Sequence, residues 1–121
     1  MIRVSFQTDR EKGLLRMELR GHAGFAELGK DPVCAGASVL AMTVAHCVTL
    51  MEKAGRLREK PDLTIRAGRV SVTAKPDRES FDEARHLFWV GEAGLRLLAE
   101  AYPGTLDIRE AKQGTPVSDP E

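Results

Sequence analysis

The stretch Gly21-His22-Ala23-Gly24-Phe25-Ala26-Glu27-Leu28-Gly29-Lys30-Asp31-Pro32-Val33-Cys34-Ala35-Gly36-Ala37-Ser38-Val39-Leu40-Ala41 reads as a loop feeding a helix. Asp31 is a good N-cap, and Pro32 suits the first helical position because its missing N–H would have no intrahelical partner there. A helix-compatible run follows, so Cys34 falls in the first turn, where the helix dipole favours an anion and a thiol should ionise more easily than in mid-helix. His22 lies twelve residues upstream. The loop between them carries Gly24 and Gly29, with Gly21 beside His22, and a backbone that permissive can fold back to bring the imidazole onto the sulfur.

A Cys-His pair is the minimal apparatus of a cysteine hydrolase: the imidazole takes the thiol proton, the thiolate attacks a carbonyl, and the imidazolium protonates the leaving amine. Spacing alone leaves a second reading open, in which Cys34 is a small packed hydrophobe and His22 a turn residue closing a strand. Two neighbours also have two readings each. Asp31 is a plain N-cap or a supporting group of the site. Ser38, four residues after Cys34 on the same helix face, either hydrogen-bonds near the thiolate or back-bonds to the Cys34 carbonyl. The backbone N–H of Cys34 and its neighbours at the helix start form the natural oxyanion hole, and the glycine-bearing loop from Ala23 to Lys30 is expected to close over an extended peptide.

Gly21-His22-Ala23-Gly24, followed by Gly29-Lys30-Asp31-Pro32-Val33-Cys34-Ala35 and Ser38, closely resembles the signature of the ribosomal-processing cysteine proteases. These are small bacterial enzymes that remove a short N-terminal extension from the twenty-seventh large-subunit ribosomal protein. Both halves of the signature are present with the family's His-to-Cys spacing, and the expected element order is like the family's over nearly the whole chain. The resemblance implies His22 as catalytic base, Cys34 as nucleophile, and Asp31 and Ser38 in the supporting polar positions. It also implies an N-terminally extended ribosomal protein as partner, and an apolar pocket for the aromatic residue before the cut. Pro32 departs from the family by standing where an aliphatic residue is expected. Proline is tolerated at that helical position, so the change bears on loop rigidity more than on chemistry.

Outward from this stretch, the chain reads as one small α+β domain. Ile2, Val4 and Phe6, then Leu15, Met17 and Leu19, alternate with polar residues across a turn from Thr8 to Gly13, giving a half-buried hairpin that runs into Gly21. The first helix is expected from Pro32 to about Ala54, ended by Gly55. It carries no charged residue between Asp31 and Glu52. Its glycine, alanine, serine, threonine and histidine content makes it a poor membrane span, so no membrane is expected. A helix apolar all round in so small a domain calls for burial against a second subunit, and a homodimer is expected. His46 and Cys47 read as core or interface residues. Leu63 to Arg66 and Arg69 to Ala74 form a second hairpin across Ala67-Gly68. A second, amphipathic helix begins in Asp77 to Ser80 and stops at Pro103-Gly104, with His86 and Trp89 near its flank as packing residues and surface contact as the lesser alternative. Thr105 to Ala111 supplies a last strand. The order ββαββαβ implies a mixed or antiparallel sheet of about five strands with two helices on one face, in a domain over residues 1–113 followed by a flexible tail over 114–121.

Composition excludes several classes. Lys+Arg and Asp+Glu are equal at 18 each, which argues against holding nucleic acid by broad phosphate neutralisation, so no direct nucleic-acid binding is expected. Cys34 and Cys47, thirteen residues apart on one helix, would be about 20 Å apart and unable to pair. With no signal-peptide pattern, the expectation is a cytoplasmic protein with reduced thiols. No cysteine or histidine spacing suits zinc and no glycine-rich phosphate loop occurs, so neither metal nor cofactor is expected. The rival to a protease is a non-catalytic binding module associated with ribosome assembly. A thiol redox protein has no Cys-x-x-Cys to support it.

Overall fold

Strand β1 (Ile2–Asp9) and strand β2 (Leu14–Arg20) form the expected hairpin, with Val4 opposite Leu19 and Phe6 opposite Met17. The computed structural model describes residues 1–27 and 29–111. The expected tail and the boundary at 113 lie outside them. The turn is shorter than the polar run from Thr8 implied, because the Asp9 carboxylate accepts the Lys12 N–H at 2.9 Å and closes the reversal over Arg10 to Gly13. Val4, Leu15 and Met17 are fully buried and build the centre of the core.

Helix α1 (Pro32–Lys53) begins and ends as its caps require. At its C-terminus Gly55 takes φ 71°, its N–H donates to Glu52 O, and the Arg56 N–H donates to Met51 O, a Schellman closure. Length and apolarity alone would let α1 cross a membrane. Here Val33, Ala37, Ala41, Val44, Ala45, Val48 and Met51 are buried on one side of it. His46 is exposed and Cys47 half-buried, so of the two expected places, core or interface, His46 does not take the first.

The second hairpin joins strand β3 (Asp62–Arg66) to strand β4 (Arg69–Ala74), with Ile65 opposite Val70 and Leu63 opposite Val72. A 3-10 turn at Arg78–Ser80 leads into helix α2 (Phe81–Ala101). Trp89 and His86 are both exposed and stack on each other, ring centres 5.5 Å apart, at the surface. They are therefore surface residues, since the helical turn that buries Phe88 points the neighbouring Trp89 outward. Strand β5 (Leu106–Ala111) lies parallel to β1, with Ile2 opposite Leu106 and Val4 opposite Ile108. The sheet is thus mixed, in the order β3-β4-β2-β1-β5, and the helices pack on one face of it.

The two helices run antiparallel and close together through glycine. A Cβ on Gly91 would lie 2.5 Å from Val44 Cγ2, and one on Gly36 would lie 3.3 Å from a Leu98 methyl. This approach sets the start of α1 beside the end of α2. On the opposite face of the sheet Glu18, almost fully buried, takes ion pairs from Arg16, Arg20 and Arg69 at 3.1–3.2 Å and ties β4 to β2.

Candidate active site

Gly21 is the hinge between β2 and the loop. Its N–H donates to Gly68 O at 2.9 Å, its φ is 93°, and a Cβ there would meet the Met1 carbonyl at 2.8 Å, so only glycine fits. The chain then leaves the sheet and the next side chain is His22. Its imidazole lies over the β3–β4 turn, Nε2 being 3.1 Å from the place a Gly68 Cβ would occupy. Gly24 and Gly29 also take positive φ, at 70° and 88°, and carry the loop round to Asp31.

Asp31 does more than cap. Its Oδ1 accepts the Val33 and Cys34 N–H groups at 2.9 and 3.3 Å, while Oδ2 accepts those of Phe25 and Ala26 at 2.9 and 3.1 Å. One buried carboxylate thus fastens the loop to the first turn of the helix. Burial alone would push this carboxyl's pKa up, but the four N–H donors outweigh it and hold it below the ordinary aspartate value.

Cys34 is half-buried and free, and its Sγ accepts the Ala23 N–H at 3.3 Å. That donor belongs to the residue after His22, so one short stretch of loop carries both the imidazole and the N–H that holds the sulfur. The same geometry changes the expected oxyanion hole. The Val33 and Cys34 N–H groups are taken by Asp31 Oδ1, and the Ala35 N–H is taken by the Asp31 carbonyl at 3.1 Å. Those donors are occupied, so the helix start offers no free N–H to an oxyanion, contrary to the sequence reading.

Ser38 differs from the threonines of the same helix. Thr43 and Thr49 back-bond to the Val39 and Ala45 carbonyls at 2.6 and 3.1 Å. Among the described residues Ser38 makes no such bond to Cys34, and the exposed residue lines the same space as Cys34. That space is a cavity of about 220 Å³ lined by His22, Cys34 and Ser38, by apolar Ile2, Leu19 and Val70, and by the turn from Arg66 to Arg69. Its size suits one side chain. Among the described residues no hydrogen bond joins His22 to Cys34. Resting-state catalytic contacts are often long, so the shared cavity is the relevant fact.

Of the residues singled out from sequence, His22, Cys34, Ser38 and Gly21 share this cavity, and Asp31 stands behind it. The β3–β4 turn and the Ala23 N–H were not among them. A glycine-bearing two-residue turn was legible as a reversal, but nothing local says that it abuts the thiol. Phe25 was also missed: it packs edge-on against Tyr102 at the end of α2, ring centres 4.9 Å apart, and leans the loop on the helix layer.

The chain matches the family described as cysteine protease Prp over residues 1–107. It belongs to the cysteine protease Prp family. The ribosomal processing cysteine protease Prp of Bacillus subtilis (strain 168) is 37% identical over 51 residues, which cover 42% of this chain and 46% of that relative. The aligned part is therefore less than half the relative's length. Among solved structures, the essential ribosomal processing protease Prp from S. aureus, in complex with a covalently linked product peptide, superposes with a TM-score of 0.69 at 25% identity, covering 92% of this chain and 100% of that one. A Streptococcus mutans protein superposes with a TM-score of 0.64 at 28% identity, covering 93% and 96% respectively. Family and fold thus agree with a peptidase whose site holds a cysteine.

Proposed function

We propose that this chain is a cytoplasmic cysteine endopeptidase that removes the N-terminal extension of the host's twenty-seventh large-subunit ribosomal protein. The observation that carries the reading is the single cavity into which a strand end, a helix start and a serine one turn further on bring His22, Cys34 and Ser38. Membership of the Prp family supports it, as does the product peptide covalently linked to the S. aureus relative.

In this reading His22 leaves the β3–β4 turn as substrate enters and takes the Cys34 proton. The thiolate adds to the scissile carbonyl, the C–N bond breaks, and the imidazolium gives its proton to the leaving amine. Water, activated by the same imidazole, then hydrolyses the thioester, releasing the acid and restoring the thiol. With the helix-start donors engaged by Asp31, the Ser38 hydroxyl is the donor for the tetrahedral oxyanion, and the loop N–H of Ala23 passes from thiolate to intermediate. The apolar wall of Ile2, Leu19 and Val70 receives the side chain before the cut.

The test is cleavage of the extended ribosomal protein by Cys34→Ala and Cys47→Ala variants. Cys34→Ala is expected to fold and to release no processed product, whereas Cys47→Ala should process at the wild-type rate. Wild-type trimming by folded Cys34→Ala would refute the assignment.

A further inference from the structure

A cavity for one side chain cannot by itself hold an extended segment, and the structure continues from it along β3. Among the described residues β3 pairs with β4 alone, so its other edge is open. Which groups that edge offers follows from the ladder. Gly21 N–H bonds to Gly68 O, which makes Gly21 and Gly68 a hydrogen-bonded pair between β2 and β4. Pairs alternate, so the backbone of the next residue, Arg69, turns to β3 and bonds Arg66 across the two-residue turn. Ile65 and Leu63 are then the non-hydrogen-bonded partners of Val70 and Val72, and their own N–H and C=O groups point outward.

Their side chains add an apolar surface. Opposed residues share a sheet face, so Ile65 and Leu63 project to the helix side, like Val70 and Val72. Val72 is fully buried, but Ile65 is 52% and Leu63 40% exposed, because no helix covers the edge. Across from them runs a flank of α1. Gly36, Leu40 and Val44 face α2. At about 100° per residue, Cys34, Ser38 and Met42 then lie on the side turned away from α2, toward β3. Met42 is 49% exposed there. One stripe therefore begins at Cys34 and runs along the flank of α1 on the β3 side, and Val70, the partner of Ile65, already lines the cavity.

We propose that β3 binds the substrate by strand addition, the peptide pairing with the outward N–H and C=O groups of Ile65 and Leu63 while alternate apolar side chains pack on Ile65, Leu63 and Met42. This rests on the peptidase reading above and names where its specificity beyond the cut resides. An added strand would lie two strand spacings of about 4.8 Å from β4, a distance three extended residues span. The pairing begins roughly three residues from the scissile bond on one side of it. Main-chain bonds then supply affinity, and alternate side chains supply selection.

The experiment uses a synthetic peptide spanning the ribosomal-protein junction, with single backbone N-methyl groups placed in turn along it. Binding is read on the Cys34→Ala protein, where no turnover interferes. The expected result is a loss of at least about fivefold at every second nitrogen on one side of the cut, with the intervening positions near neutral. Ile65→Pro removes an outward N–H and no ladder bond, so in the otherwise wild-type enzyme it should raise KM for the same peptide at least about fivefold with kcat within about twofold. A scan without a period of two overturns strand addition, whether or not Ile65→Pro folds. So does an unchanged KM in a folded Ile65→Pro enzyme. A homodimer that Ile65→Pro converts to monomer, with the peptide scan flat, assigns the edge to a second copy and overturns the proposal likewise. Cleavage of the peptide without periodicity refutes the β3 site alone, whereas a protein that neither binds nor cleaves it refutes the substrate reading and this site with it.

Discussion

His22 rests on the glycine of a β-turn while the neighbouring Ala23 N–H holds the sulfur. At the residue scale the imidazole's task is therefore separable from the sulfur's environment. His22→Ala is expected to lower kcat/KM about 10²- to 10⁴-fold at neutral pH without unfolding the domain. Part of the loss should return in a pH–rate profile above about 8.5, where an ordinary thiol ionises unaided. A variant equally inactive up to about pH 9.5, with the thiol still reactive, would deny His22 the role of base. Ser38→Ala tests the hydroxyl in the same way: kcat should fall on the order of 10²-fold with KM within about twofold, because an oxyanion donor acts only in the transition state. An unchanged kcat would return Ser38 to the surface of the helix. His22, Cys34 and Ser38 could be singled out in sequence because the family signature they resemble names them, whereas their spacing alone left a packed thiol and a turn histidine open. Ala23 could not be, since its contribution is a backbone N–H whose direction only the folded loop determines.

The caps explain why the bounds of α1 could be read from residues such as Asp31, Pro32 and Gly55, whose preferences are intrinsic. The parallel pairing of β5 could not be read, because five or six alternating residues do not say which neighbour they join. Asp31 belongs to this element scale, since it links a loop to a helix. Its folded-state pKa is lowered, so its contribution to stability is complete above the ordinary carboxyl value of about 3.9 and is lost as pH falls through the lowered folded value. Asp31→Asn offers one acceptor where the carboxylate offers two. The variant should have a lower urea midpoint at pH 7, and its deficit should shrink as pH falls from about 4 toward 2. Parallel curves for the two proteins over that range would show that the charge is not what fastens the loop.

Across the whole molecule, the helix layer leaves apolar side chains uncovered on the side away from the sheet: Val39 and Leu50 on α1, Val90 and Leu97 on α2, each about half exposed or more. A symmetric pairing of this layer would cover them, and we expect light scattering to give twice the 13.3 kDa chain mass at micromolar concentration. A Val39→Glu/Leu97→Glu protein should be a folded monomer, and a wild-type mass of one chain would remove the dimer. The parallel strand at the other side of the sheet has a practical bearing on all of these measurements. Ile2 lines the cavity and its neighbour Met1 touches the hinge at Gly21, whereas Ala111 is level with Gln7 at the far end of β1. An affinity tag joined ahead of Met1 would hang over the mouth of the site and present its own sequence as a tethered competitor. The described chain leaves the sheet at Ala111, at the end remote from the cavity, so kinetic work should begin from enzyme with nothing joined ahead of Met1.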